Sequence, residues 1–279
     1  MTDTAEITAK NRASWNASAT HHGSGTYWDA MVKGFADPAY SRFDATMSNA
    51  LVDAGIHGAR AVQIGCNNGR EVLSACAIGA ASCLGIDQSD AFLAQAAQLR
   101  DISGHNATFL EADIYALPKD TPRDFDLAFI TIGVLNWMPD LPRFFKAVAG
   151  LLRPGGQLVI YETHPMLEMF DPEGQDPMRP AFSYFRTEAF VETAAITYDG
   201  STPEDVPESH WFIHPLSSIV QACIDAGLSL TGLQEFPHSI REVDYDIYEN
   251  QSAQVPMSFL LRATKSGPIA PKPDNAGPK

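Results

Sequence analysis

Short, nearly unbroken apolar runs alternate along this chain with stretches whose apolar positions recur every three or four residues. The runs Ala61–Gly65, Ser82–Asp87, Ala107–Asp113, Phe125–Thr131 and Gln157–Glu162 are predicted strands. Their continuity suits strands buried on both faces of a parallel sheet. Helices are predicted between them, over Gly69–Ile78, from Ser89 or Asp90 to about Arg100, and over Leu141–Leu152, where Phe144, Val148, Leu151 and Leu152 share a face. Arg153-Pro154-Gly155-Gly156 breaks the last of these. Upstream, Ala5–Ala19 and Pro38–Ala54 carry helical spacing, the second through Tyr40, Phe43, Met47 and Leu51. His21–Trp28, with two glycines and two large aromatics, reads as a loop that either anchors the N-terminal arm or covers a ligand.

After His164 the pattern changes. Residues 165–207 are rich in proline, aromatics and acids and lack helical period, apart from a possible antiparallel strand over Phe190–Tyr198. This stretch is read as an insertion lying above the strand ends, where ligands bind in open α/β sheets. Pro215–Ala226 resumes a core helix, and Leu228–Glu235 and Met257–Thr264 form a closing antiparallel pair. The organisation expected is an N-terminal arm or lid (1–58), a ligand-binding half-core (59–164), a cap (165–209), the rest of the core (210–265) and a disordered tail (266–279).

Composition narrows the function. The net charge is −15 with 19 Lys and Arg against 34 Asp and Glu. No basic cluster stands outside the tail, which argues against a nucleic-acid partner. No apolar run is long enough to cross a membrane, and no secretory signal is visible, so a cytoplasmic protein is expected. The four cysteines form no CxxC pair, as suits a reducing compartment. No acidic cluster has the convergence of a metal site; Glu168, Asp171, Glu173 and Asp176 read as a solvated loop.

The chemistry centres on Val62-Gln63-Ile64-Gly65-Cys66-Asn67-Asn68-Gly69, a strand, a tight glycine turn and a helix start. Backbone N–H groups at such a junction suit a small-molecule ligand. With acids at the next two strand ends, Asp87 and Asp113, and with Leu152-Arg153-Pro154-Gly155-Gly156, the stretch resembles the class I S-adenosylmethionine-dependent methyltransferases. Residues 60–163 carry the resemblance by motif and 210–264 by layout. It implies an α/β Rossmann-like fold: a seven-stranded, mostly parallel sheet with an antiparallel last strand, helices on both faces and a cap after the fifth strand. It also implies an enzyme that binds S-adenosyl-L-methionine and releases S-adenosyl-L-homocysteine. The cofactor residues so implied are Gln63, Gly65, Cys66, Asn67, Asn68, Gly69, Asp87, Gln88, Asp113, Ile114, Thr131 and Ile132, with Asp87 on the ribose diol and Asp113 beside the adenine amine.

Two positions depart from the family's pattern. Gln63 stands where an acid is usual and supplies no negative charge to the cofactor's ammonium end. Asn67 stands where glycine is usual, but Asn tolerates positive φ. In its second half the chain is similar to bacterial small-molecule methyltransferases through Tyr161-Glu162-Thr163-His164-Pro165, His210–Leu216 and Gln234–Pro237. Methyl transfer needs alignment and, for a protonated acceptor, a base. His164 and His210 are the candidate catalytic residues, and Tyr27, Trp28, Trp137, Phe182 and His214 the candidate substrate contacts. The acceptor expected is a small aromatic or heterocyclic molecule methylated on O, N or S by a monomer or homodimer. Three other readings remain open: a Rossmann-type NAD(P)-dependent oxidoreductase, a non-catalytic cofactor-binding protein, and an RNA or protein methyltransferase.

Overall fold

The structure is a computed structural model and describes residues 3–197, 206–240 and 243–267. Its centre is a seven-stranded sheet of β1 (Arg60–Ile64), β2 (Ser82–Asp87), β3 (Ala107–Glu111), β4 (Phe125–Thr131), β5 (Leu152–Thr163), β8 (Leu228–Phe236) and β9 (Ser258–Lys265), in the order β3-β2-β1-β4-β5-β9-β8. The first five strands are parallel, and β9 runs antiparallel to both β5 and β8. A small antiparallel pair, β6 (Phe190–Glu192) and β7 (Ser209–Trp211), stands apart from the sheet. The expected fold class is therefore observed.

Alternation along the strands feeds two cores. Ala128 and Ile130 of β4, with Leu158 and Ile160 of β5, pack on one face against α6 (Leu141–Leu151) and α7 (Leu216–Asp225). Leu127, Phe129, Val159 and Tyr161 face the other core. That core also takes residues of α2 (Gly25–Phe35), α3 (Ala45–Asp53), α4 (Arg70–Ala77) and α5 (Asp90–Ser103). Both faces are apolar, as continuous apolar runs require. Gly156 marks a close approach. A Cβ there would stand 2.9 Å from the carbonyl oxygens of Arg153 and Phe125, so the Pro-Gly-Gly turn lets β5 begin directly after α6.

Four expectations are corrected. His21–Trp28 is not one loop, because α2 starts at Gly25 and holds Tyr27 and Trp28 on a helix. The helix expected over Pro38–Ala54 starts only at Ala45, where the Asp44 side chain caps the Met47 N–H at 2.7 Å. Tyr40 and Phe43 still pack on the core, which is why their spacing looked helical. The strand expected over Phe190–Tyr198 shrinks to Phe190–Glu192; Tyr198 and the tail from residue 268 lie outside the described residues. Finally, Glu168 is 5% exposed, not part of a solvated loop. Among the described residues no helix is long and apolar enough to cross a membrane.

The remaining helix, α1 (Thr4–Ser18), lies across the strand ends. Asn11, fully buried, pairs with the backbone of His210, accepting from its N–H at 2.7 Å and donating to its carbonyl at 2.9 Å. Thr8 donates to Asp113 at 2.8 Å, and Trp15 meets Trp137 and Phe92 edge-on. These contacts span the arm, the sheet edge and the insertion, and they place α1 over the site.

Candidate active site

The turn after β1 is built on three positive-φ residues, Gly65 (68°), Asn67 (49°) and Gly69 (73°). Asn67 thus adopts the left-handed conformation its side chain tolerates. Its N–H donates to Asp87 Oδ2 at 2.7 Å, and the Ser89 N–H donates to Asp87 Oδ1 at 2.9 Å. The Gln88 N–H also faces this carboxylate; with about four lone-pair sites in all, it keeps one to spare. Asp113 is held in the same manner: Oδ1 accepts from the Tyr115 N–H at 2.9 Å and Oδ2 from Thr8.

These groups wall a cavity of about 1570 Å³ at the C-terminal edge of the parallel strands. It exceeds the roughly 300–1,000 Å³ usual for one ligand. Gly65, Asn67, Asp87, Gln88, Asp113, Ile114, Thr131, Ile132, Tyr27 and Trp137 all line it. The opposite wall comes from Glu168 and residues 191–197 of the insertion, with Trp211 and Tyr245 from beyond it. Phe190 and Trp211, cross-strand partners on β6 and β7, stack with centroids 3.9 Å apart and stiffen that wall.

Other expected site residues lie off the cavity wall. Gln63 is fully buried beneath it and donates through Nε2 to Glu71 and Thr131. Cys66 is buried, and burial pushes its thiol well above the ordinary range. Its sulfur fills the space where a Cβ on Gly85 would stand at 2.7 Å. Asn68 is fully buried under the turn. Gly69 is a packing glycine; a Cβ there would meet Phe109 and Ala96 within 2.8 Å. Trp28 is 8% exposed and belongs to the core, because it sits on the inner face of α2. Phe182 packs on Phe190 inside the insertion.

The three histidines are also off the wall. His164 is 3% exposed; its Nε2 meets Glu235 at 2.9 Å, and its Nδ1 accepts the Met166 N–H at 3.0 Å. Nε2 ties the end of β5 to β8, and Nδ1 holds the turn at Met166. His210 Nε2 reaches Glu208 at 3.3 Å. His214 donates from Nε2 to the Met138 carbonyl at 2.9 Å, and burial holds its pKa down at about 4. It clasps α7 to the loop after β4.

The acids that do reach the site were not legible as such in the sequence. Glu71, in the first turn of α4, lines the cavity while 6% exposed; its Oε2 accepts from Gln63 at 3.0 Å and from Thr131 at 2.7 Å. Glu168 accepts from Asn136 Nδ2 at 2.8 Å and Tyr245 Oη at 3.2 Å. Burial pushes its pKa up to about 7. The one available signal for Glu71 was its place two residues after the last turn glycine, where an acid suits a helix N-terminus. Among the described residues no group of three His, Cys, Asp or Glu is placed to hold a metal ion.

Comparison with known proteins agrees with this geometry. The family profile "Methyltransferase domain" matches residues 61–156. A ubiquinone biosynthesis O-methyltransferase of Pseudomonas fluorescens is 33% identical over 106 residues, 37% of this chain and 44% of that protein. The chain matches less than half the length of its curated relatives. A crystal structure of an S-adenosylmethionine-dependent methyltransferase from Mesorhizobium loti is 23% identical, with a TM-score of 0.53 over 78% of this chain and 96% of that one. The magnesium protoporphyrin IX methyltransferase of Synechocystis, solved with S-adenosylhomocysteine, is 16% identical, with a TM-score of 0.53 over 94% and 99%. At these identities the two structures speak for the fold alone. Residues 61–156 match a methyltransferase domain, and the chain shares its fold with solved S-adenosylmethionine-dependent methyltransferases.

Proposed function

We propose that this chain is an enzyme that transfers a methyl group from S-adenosyl-L-methionine to an O, N or S atom of a small aromatic or heterocyclic acceptor. The observation that carries the reading is Asp87: a carboxylate on the cavity wall at the tip of β2, fixed by the backbone N–H groups of Asn67, Gln88 and Ser89 with acceptor capacity left over. That is the donor-accepting geometry a ribose diol needs. Gly133 adds to the fit, since it lines the cavity at φ 83° and a Cβ there would meet nothing within 4 Å.

When bound, the cofactor supplies a methyl group on a positively charged sulfur. The chain's own residues bind, orient and exclude water. Asp87, Asp113 and the turn Gly65–Asn67 hold the nucleoside. Helix α1 covers it through Thr8 and Trp15. Trp15, Trp137, Trp211 and Tyr245 give the acceptor side aromatic walls, which favour a flat acceptor. Glu168 stands on the same wall, and with a pKa near 7 it is suited to take the acceptor's proton at its carboxylate oxygen. The volume leaves room for both ligands in one cavity.

Titration calorimetry with S-adenosylhomocysteine and with NADH is the first test. Binding of the former and not the latter is expected; the reverse would replace this reading with an oxidoreductase. A methyl-transfer screen over phenols, thiols and N-heterocycles then identifies the acceptor. Binding without transfer to any acceptor would favour a non-catalytic role.

A further inference from the structure

The charged side chains of the cavity are sorted. Among the described residues its walls carry Glu71, Asp87, Asp113, Glu168, Glu173 and Glu192 and two cationic residues, Arg42 and Arg70. Both stand at one end, in a continuous network with Glu71. Gln63 and Thr131 donate to Glu71 Oε2. Arg70 Nε lies 3.7 Å from Glu71 Oε1, and Arg70 Nη1 donates to Tyr27 Oη at 3.1 Å. Arg42 Nη2 reaches the same oxygen at 3.4 Å, with its guanidinium over the Tyr27 ring.

Two members are anchored on α4 and β1. The Arg42 N–H donates to Ser74 Oγ on α4 at 2.9 Å, which holds the linker before α3 against that helix. Arg42 Nε is buried and has no hydrogen-bond partner among the described residues. The guanidinium itself stands on the cavity wall, where its planar N–H groups suit a carboxylate. Glu71 is fixed by a fully buried amide whose Nε2 is spent on it.

We propose that this network is the receptor for the amino-acid end of the cofactor: Glu71 takes the ammonium, Gln63 is its positioning residue, and Arg42 and Arg70, bridged by Tyr27, take the carboxylate. The proposal rests on the methyltransferase reading above and deepens it. The negative charge missing from Gln63 on β1 is supplied from the first turn of α4, eight residues on. Gln63 is then no defect, because a carboxylate there would face Glu71 across the 3.0 Å now bridged by an amide hydrogen bond. The arginines are needed for a separate reason. Among the described residues, the walls of this acidic cavity offer an α-carboxylate no other cationic partner. The consequence is selectivity for adenosyl ligands that carry an intact amino-acid end.

Calorimetry with two probes isolates the claim: S-adenosylhomocysteine, which has that end, and 5′-methylthioadenosine, which lacks it. Glu71→Gln and Arg42→Gln should each weaken S-adenosylhomocysteine by roughly tenfold to a hundredfold and leave 5′-methylthioadenosine unchanged. The double variant Gln63→Glu/Glu71→Gln reverses the pair and should recover most of the loss. Binding of 5′-methylthioadenosine also reports that each variant folds. If Glu71→Gln is unfolded, Arg42→Gln and the double variant decide in its place. Equal weakening of both probes, or of neither, would overturn the assignment while leaving the methyltransferase reading intact. Failure of the unaltered protein to bind either probe would overturn both.

Discussion

The Glu162 carboxylate accepts the Gly133 N–H at 2.5 Å, and its other oxygen accepts the Leu135 N–H at 3.0 Å. Glu162 stands at the end of β5 and is 2% exposed. Gly133 and Leu135 belong to the segment after β4 that lines the cavity and leads into Asn136 and Trp137. One buried side chain thus fixes the backbone that carries four wall positions. Glu162→Ala leaves those donors buried without partners, at about 1–3 kcal/mol each. A loss of roughly 3 kcal/mol or more in urea unfolding is expected, with weaker S-adenosylhomocysteine binding in the fraction that folds. An unchanged urea midpoint would show that the segment does not depend on Glu162.

The same burial makes stability depend on pH in an unusual direction. Burial pushes Glu162 up to about 8 and Glu168 up to about 7, from an ordinary value of 4.5. A carboxyl with a raised folded pKa binds a proton that the unfolded chain has already released. Its contribution is therefore complete below the unfolded value and is lost as pH rises through the folded one. His214 works oppositely. Its folded pKa of about 4 costs stability as pH falls below the ordinary histidine value of 6.5. Between pH 6.5 and 8.5 only the two acids change among these three. Urea midpoints should fall across that window, and Glu168→Gln should flatten the fall. A midpoint that rises with pH there would contradict the burial argument.

Strand positions were legible because parallel strands write their burial on both faces into continuous apolar runs; β2 and β4 match their expected bounds. The Gly65–Gly69 turn was legible because positive φ restricts the residue types that can occupy it. Asp87 and Asp113 could be read from their places at strand ends. The buried acids could not. Glu71, Glu162 and Glu168 have the composition of surface residues, and their burial depends on donors 8, 29 and 32 positions away in sequence: Gln63, Gly133 and Asn136. Trp28 failed for the converse reason. Gly25, at φ 83°, looked like a loop residue but opens α2, and the helix turns Trp28 inward. The histidines were judged by proximity to the sheet edge, which says nothing of whether a ring faces the cavity or the packing beneath it.

Asp87 gives a direct test of the nucleoside site. Its backbone anchors, Asn67 and Ser89, lie in the turn after β1 and at the cap of α5. Asp87→Ala removes the proposed ribose acceptor and also frees the Asn67 N–H. S-adenosylhomocysteine affinity should fall by about 1.5–3 kcal/mol, the range for hydrogen bonds to a charged group. Because the ribose is common to both probes, 5′-methylthioadenosine should weaken equally. This common loss contrasts with the split expected for Glu71→Gln. Unchanged calorimetric affinity for both would remove Asp87 from the site.

On the proposed reading, Glu168 is the base on the acceptor side and His164 is structural. His164 has both ring nitrogens occupied, packs its ring edge-on to Phe259 and lies off the cavity wall. Burial lowers its pKa although Glu235 opposes the shift. Glu168 is on the wall, near neutrality, and braced by Asn136 and Tyr245. With an acceptor in hand, Glu168→Gln should lower kcat by about 10²–10⁴, the usual contribution of a positioned base, and should abolish the acid limb of the kcat profile near pH 7. Tyr245→Phe removes one donor that favours the ionised form, so it should shift that limb upward and leave kcat at high pH nearly intact. His164→Gln should lower the melting temperature and leave kcat within a few fold. A His164 variant that folds normally but loses turnover, beside a Glu168 variant that keeps it, would reverse these roles.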